Sequence, residues 1–246
     1  MGQLTVPWGM NLGKKTLFIS LLALIVVFFF FEFSNTDLAI QQYLYRPLEK
    51  TWFLKDPNLT YYNFFYRIIK IPIYIIGIGA LTSSIISWKK NIWLDYRKGL
   101  LIVTLTLMIL PVSIAVIGKN TTNVQCPYDL IEFGGVIPYI KHFESYPLNT
   151  KSSDGKWTKG KCWPAGHSSG GFSLFSLYCL FHKKSNKIFA FIVAMGMGQG
   201  MGIYQVLRGA HFLSHHIITM FLALILVSLL NIFIKDFSNE SSPVKK

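Results

Sequence analysis

Two histidine-bearing segments contain the residues whose types and spacing could do chemistry. The first, Cys162 to Phe172, reads CWPAGHSSGGF and places His167 directly after a break made by proline and glycine. The second, Gln205 to His216, reads QVLRGAHFLSHH and combines one arginine with three histidines. Imidazole exchanges protons near neutral pH, and a guanidinium binds anions through its planar fork. The two segments are therefore candidates for acid–base chemistry beside a bound anion.

The elements that must position these residues are membrane helices, as the composition indicates. Of 246 residues, 52% are apolar and only 14% are charged, whereas a typical soluble domain has about 25% charged residues. A bilayer span needs roughly 17–25 mainly apolar residues, and six such runs occur. We predict an all-α polytopic membrane protein, a single domain over residues 1–246, with spans at about 16–33, 68–88, 99–118, 168–181, 188–207 and 217–234.

The net charge of +13 does not indicate a nucleic-acid partner, because the basic residues are divided into small clusters between the apolar runs. One set of span ends carries most of them with few acids: Lys14, Lys15, Lys89, Lys90, Arg97, Lys98, Lys183, Lys184, Lys187, Lys235, Lys245 and Lys246. Positive residues flank the cytoplasmic ends of spans. Both termini are therefore predicted to be cytoplasmic, and loops 34–67, 119–167 and 208–216 to face outward.

The ionisable residues that are candidates for function are concentrated in the predicted outward loops. Lys119 ends the third span, and both histidine-bearing segments lie on the same predicted side. Ionisable groups at the membrane edge are costly and often functional. Taken singly, Lys119 could instead extend to the headgroups, and a lone histidine could be a satisfied interfacial residue.

The order of these residues resembles the type 2 phosphatidic acid phosphatase superfamily, the six-span membrane lipid phosphatases. Its pattern has a lysine followed by Arg-Pro, then Pro-Ser-Gly-His, then an arginine, a histidine and an aspartate. Here Lys119 precedes Cys126-Pro127, and the second block appears as Pro164-Ala165-Gly166-His167. The third block appears as Arg-Gly-Ala-His-Phe-Leu-Ser-His, ending at His215.

Three positions depart from that pattern. Cys126 and Gln205 stand where the superfamily has arginine, and His215 stands where it has aspartate. Arg208 follows Gln205 by three residues, on roughly the same helix face, so it could supply the missing guanidinium.

The resemblance implies a phosphatase that needs no cofactor or metal. His211 corresponds to the nucleophile that forms a phosphohistidine, and His167 corresponds to the general acid. Lys119 and Arg208 would hold phosphate oxygens, as would the start of the fourth span at Gly166 and Ser168 through the helix N-terminus. His215 would accept a hydrogen bond from His211, with Asp129 and Gln205 as supporting residues.

The same resemblance implies a lipid phosphate substrate at the periplasmic face of a bacterial inner membrane. Phosphatidic acid, phosphatidylglycerol phosphate, undecaprenyl pyrophosphate and lipid A phosphates are the expected substrates.

Three other functions remain open at this point. His211 and His215 are four residues apart, so they could bind a metal ion with His167 as a third ligand. The fold could instead serve a transporter or assembly protein without catalysis. The phosphohistidine could also pass its phosphoryl group to a lipid sugar rather than to water.

The last sequence prediction concerns the cysteines. Cys126 and Cys162 both lie in the outward loop, each directly before a candidate site segment. Disulfides persist in oxidising compartments, so we predict a bridge between them. Cys179, inside the fourth span, is expected to be a buried apolar thiol.

Overall fold

The computed structural model describes residues 8–54, 59–144 and 160–237, and the side chains of 13–54, 60–144 and 160–237. Apart from a two-stranded hairpin in which Tyr45–Arg46 pairs with Thr51–Trp52, regular structure in these ranges is helical. The main helices are α1 Trp8–Phe33, α2 Thr36–Leu44, α3 Thr60–Lys90, α4 Leu94–Thr121, α5 Gly166–Ser173, α6 Leu177–Leu180, α7 Lys184–Leu207 and α8 Leu213–Phe233. The predicted all-α membrane fold is confirmed.

Five of these helices, α1, α3, α4, α7 and α8, are long and apolar enough to cross a membrane. The predicted fourth span at 168–181 is two short helices, α5 and α6, joined by a 3₁₀ turn at Leu174–Ser176. Most of this segment is buried within the protein, from Ser168 to Ser176. Its serines and glycines therefore face neighbouring helices instead of lipid.

The second span is longer than its hydropathy predicts. It begins at Thr60, not near residue 68, because the polar and aromatic run TYYNFFYR is helical although it is not continuously apolar. Residues Asn63–Ile68 form a π-helical segment, and a second one, Ile114–Gly118, lies near the end of α4. Such segments often occur at functional sites. Both lie at the end of the bundle that carries His167.

Close helix packing centres on α5. It lies against α4, α7 and α8, while α1 packs along α8. A Cβ on Gly171 would collide with the backbone of Gly198, and a Cβ on Gly202 would overlap the imidazole of His216. Small residues at helix crossings allow this approach in membrane proteins. These glycines therefore let α7 pack closely against both the helix bearing His167 and the helix bearing His215.

The alternating direction of the long helices brings the chemically interesting segments to one end of the bundle. That end contains the close of α4 at Thr121, the start of α5 at Gly166, and the loop between α7 and α8. Helix α2 and the hairpin lie at the same end. The basic residues predicted to be cytoplasmic, such as Lys89 and Lys184, lie at the other end of the bundle.

Candidate active site

The loop between α7 and α8 is held in one conformation by hydrogen bonds to its backbone. The Gln205 carbonyl accepts from the N–H groups of Ala210 and His211, at 2.9 and 3.3 Å. The His211 carbonyl accepts from Gln41 Nε2 at 3.0 Å, and Gln41 is fully buried in α2. Gln205 therefore supports His211 through its backbone, whereas the superfamily pattern places an arginine side chain there.

Gly209 allows this loop to turn. Its φ is +69°, a conformation that favours glycine, and a Cβ there would overlap the ring of Trp52 in the hairpin. Its carbonyl accepts from the Tyr128 N–H at 3.0 Å. The loop is thus fixed from the hairpin and from the segment that follows Cys126.

His211 and His215 form a buried pair. Their Nδ1 atoms are 3.4 Å apart, and the side chains are 5% and 1% exposed. Burial, together with the nearby His167 and Lys119, lowers the pKa of His211 to about 3. The His211 imidazole is therefore neutral at physiological pH, as a nucleophile must be.

The segment before His167 is fastened to this pair. Cys126 and Cys162 form a disulfide with Cα atoms 5.1 Å apart, and the Cys162 sulfur lies 3.3 Å from His211 Nδ1. The backbone carbonyl of Cys162 is within hydrogen-bonding reach of the imidazoles of both His211 and His215. Further along, the Ala165 N–H donates to the His215 carbonyl at 3.2 Å. The turn that presents His167 is therefore built on the first turn of α8.

Three cations surround His167. Lys119, Lys70 and Arg208 all interact electrostatically with its imidazole. Gly166 lies against the Lys119 side chain, since a Cβ there would be 3.7 Å from Nζ. The ring of Tyr66 lies 4.5 Å from the His167 ring, and Lys70 Nζ lies 4.4 Å from the Tyr66 ring centroid.

A cavity of about 620 Å³ opens from this cluster along the apolar faces of α3 and α4. Lys70, Lys119 and His167 line its polar end, and its walls further down include Ile78, Leu81, Leu107 and Met108. Among the described residues that line it there is no aspartate or glutamate. The cavity thus combines a cationic mouth with an apolar body, which suits a lipid whose headgroup is anionic.

Two predicted site residues are used differently. The Ser168 hydroxyl is fully buried and donates to the Ala165 carbonyl at 3.2 Å, and Ser169 lines the cavity in its place. The Asp129 carbonyl accepts from the N–H groups of Val136 and Ile137, and within the described residues no hydrogen bond joins its carboxylate to His211. The structure therefore does not join the Asp129 carboxylate to His211.

Two functional candidates escaped the sequence analysis. Lys70 lies inside the predicted second span, and an intramembrane lysine was itself a signal. Asp37, in α2, accepts a hydrogen bond from the Ser214 N–H at 3.0 Å and so caps the N-terminus of α8, a favourable place for a carboxylate. Nothing in the sequence connects Asp37 with a helix that begins far along the chain.

The structure does not bring together the three histidines that the alternative metal site would need. Within the described part of the chain, the nitrogen and sulfur atoms of Cys162, His211 and His215 lie within 4.8 Å of one another. The Cys162 sulfur is committed to the disulfide, and zinc binds thiolate rather than disulfide sulfur. His167 is not in this group, so the structure supplies two histidines instead of the three ligands that a catalytic zinc requires.

Comparison with known proteins gave matches to a family model and to a relative of described function. The model of the PAP2 superfamily matches residues 99–239. The chain is 28% identical over 200 residues to a lipid A 4'-phosphatase from Francisella tularensis subsp. novicida (strain U112), covering 79% of this chain and 86% of that protein. No solved structure matches significantly.

Proposed function

This chain belongs to the PAP2 superfamily of phosphatases, and we propose that it hydrolyses a phosphomonoester on a lipid headgroup through a phosphohistidine intermediate. The observation that carries the proposal is the cavity beside His167. His167 and Lys119 at its cationic mouth both interact electrostatically with His211. Its apolar body is lined by α3 and α4, which are long and apolar enough to cross a membrane.

The first step would be attack of His211 on phosphorus. If Nδ1 of His211 carries the proton and donates it towards His215, Nε2 keeps its lone pair and forms the P–N bond. The bond from phosphorus to the lipid oxygen breaks, and His167 protonates the departing alkoxide. The negative charge of the bound phosphate would offset the repulsion between a protonated His167 and the cations around it.

The second step would return the enzyme to its starting state. His167, now neutral, removes a proton from water, whose oxygen attacks phosphorus as the P–N bond breaks. Inorganic phosphate leaves, and His167 is again protonated. Lys119, Lys70 and Arg208 would stabilise the phosphoryl oxygens through both steps, since charge stabilisation dominates phosphoryl transfer.

The relative's name favours a glycolipid phosphomonoester as the substrate. We place the site at the outer, periplasmic face of a bacterial inner membrane, because the basic residues concentrate at the opposite helix ends. An apolar cavity reached from the membrane would let acyl chains remain in lipid while the phosphate meets the histidines.

The test is phosphate release by purified protein from lipid A, phosphatidic acid, phosphatidylglycerol phosphate and undecaprenyl pyrophosphate. We expect lipid A to be hydrolysed fastest. Labelled phosphate should be trapped on the wild-type protein by a rapid alkaline quench, because phosphohistidine is labile in acid. His211→Ala should neither turn over nor become labelled.

His182→Ala is the matched control, because this histidine contacts Tyr96 at the opposite end of the bundle. Full turnover by His211→Ala, or a wild type inactive on every lipid tested, would overturn the proposal. Transfer of the phosphoryl group to an added lipid sugar in place of phosphate release would identify a phosphotransferase.

A further inference from the structure

A buried acid on the first helix lines a small cavity together with His215, and His211 is not among the residues that line it. Glu32 of α1 is 6% exposed, although it lies in a helix apolar enough to cross the membrane. Its carboxylate accepts from the N–H groups of His142 and Phe143, both at 3.2 Å. It also contacts His142 Nδ1 at 3.0 Å. A buried acid at the end of a membrane-spanning helix is costly and is a candidate for a functional role.

The contact with Glu32 fixes the proton on His142. A carboxylate only accepts hydrogen bonds, so His142 must carry a proton on Nδ1. Burial lowers the pKa of His142 even though Glu32 opposes that shift, so the imidazole is neutral near pH 7. Its Nε2 is then a bare acceptor. That atom is buried and has no hydrogen-bond partner among the described residues.

His142 and His215 face a common space. Both line a cavity of about 20 Å³, together with Glu32, Asp37 and Tyr139. The two imidazoles also interact electrostatically. A cavity of this size can hold about one water molecule. One water molecule in this cavity could therefore accept a hydrogen bond from Nε2–H of His215 and donate one to the unprotonated Nε2 of His142.

For His211 to act as a nucleophile, the proton between His211 and His215 must lie on one particular side of the pair. Two neutral imidazoles whose Nδ1 atoms are 3.4 Å apart can share one proton in two ways, and only one of them leaves His211 Nε2 bare for attack. The Cys162 carbonyl is within reach of both rings, so it does not distinguish the two arrangements. An acceptor behind His215 favours Nε2–H on His215, a bare Nδ1 facing His211, and hence Nδ1–H on His211.

From these contacts, and resting on the proposed function, we infer that Glu32 is a positioning residue that acts through His142 and His215 to hold His211 in its nucleophilic tautomer. The chain thereby supplies from α1 the carboxylate that position 215 lacks. Asp37 lines the same small cavity but accepts a hydrogen bond from Ser214 at the start of α8, and among the described residues no hydrogen bond joins its carboxylate to an imidazole.

The test compares Glu32→Gln in two backgrounds. In wild type, we expect kcat to fall by about 10- to 100-fold, the scale for groups that orient an imidazole, with KM changed less than about 3-fold. In His215→Asp the new carboxylate faces His211 directly, so adding Glu32→Gln should change kcat less than about 2-fold. Such non-additivity identifies residues that act through one another. Steady-state phosphate release by the purified proteins gives kcat and KM in both backgrounds.

Asp37→Asn is the matched control, because it removes a buried acid from the same cavity. Its fold-change in kcat should be the same in the wild-type and His215→Asp backgrounds. His142→Gln is a second route to the same prediction if Glu32→Gln does not fold, as judged by elution profile and melting temperature. Equal losses from Glu32→Gln, or from His142→Gln, in both backgrounds would overturn the inference. Active wild type with inactive His211→Ala would leave the proposed function intact in that case.

Discussion

His211 Nδ1 lies 3.4 Å from His215 Nδ1, one helical turn apart in sequence but on opposite sides of the start of α8. His211 belongs to the loop, and its backbone is held by Gln205 and Gln41, whereas His215 is in the first turn of the helix. Imidazole thus occupies the position from which a carboxylate commonly orients a catalytic histidine.

His215→Ala should therefore lower kcat strongly while changing KM little. We expect a loss of about 10³- to 10⁴-fold, as when the partner of a catalytic histidine is removed. The measurement is steady-state phosphate release from lipid A. A kcat within a few-fold of wild type would show that the Cys162 carbonyl orients His211 sufficiently by itself.

His167→Ala should slow substrates according to their leaving group. If His167 donates a proton to the departing oxygen, its loss should cost about 10²- to 10⁴-fold on a lipid alkoxide. An activated aryl phosphate, whose leaving group needs no proton, should lose far less. The comparison is kcat on lipid A against kcat on p-nitrophenyl phosphate, and equal losses on both would indicate a positional role.

Lys70→Ala should raise KM, because Lys70 lines the cationic mouth of the cavity with Lys119. A hydrogen bond to a charged group is worth about 1.5–3 kcal/mol, which corresponds to a loss of about 10- to 100-fold in kcat/KM. Lys187→Ala is the control, since this lysine also lies over a tyrosine ring, that of Tyr178 at 5.3 Å, but at the other end of the bundle. If the two variants behave alike, Lys70 does not bind substrate.

Removing the disulfide should destabilise the protein and impair the site together. Cys126 and Cys162 are separated by 36 positions, and closing a loop of that length contributes about 3–4 kcal/mol in the chain-entropy model. The double variant Cys126→Ala/Cys162→Ala should therefore melt at a lower temperature and lose activity, because Cys162 contacts His211. Cys179→Ala removes the free cysteine and should do neither; unchanged melting of the double variant would contradict the prediction.

The stability of the site end should depend on Asp37. Burial raises the pKa of this carboxyl to about 6, although its bonds to Ser214 oppose the rise. An acid whose pKa is raised on folding stabilises the protein in its protonated form. That contribution is complete below pH 3.8 and is lost as pH rises through about 6. Thermal unfolding between pH 4 and pH 7 should show the fall, and Asp37→Asn should flatten it.

The sequence by itself determined the fold class and the histidine-bearing blocks. Spans can be recognised because a bilayer requires long apolar helices. The blocks that contain Lys119, His167 and His211 can be recognised because each is a short continuous motif. The same hydropathy argument predicts a span from about residue 68, whereas the helix already begins at Thr60, because the run from Thr60 to Arg67 is helical without being continuously apolar.

Only the tertiary structure decided which side chains meet. Lys70, Asp37 and Glu32 come from helices early in the chain, and no periodicity relates them to the histidines near which they lie. Asp129 is near the right block in sequence, yet its segment folds into a turn that does not reach His211. Gly171 and Gly202 set how closely α5 and α8 approach α7, and such a crossing is a property of two helices that neither sequence segment encodes alone.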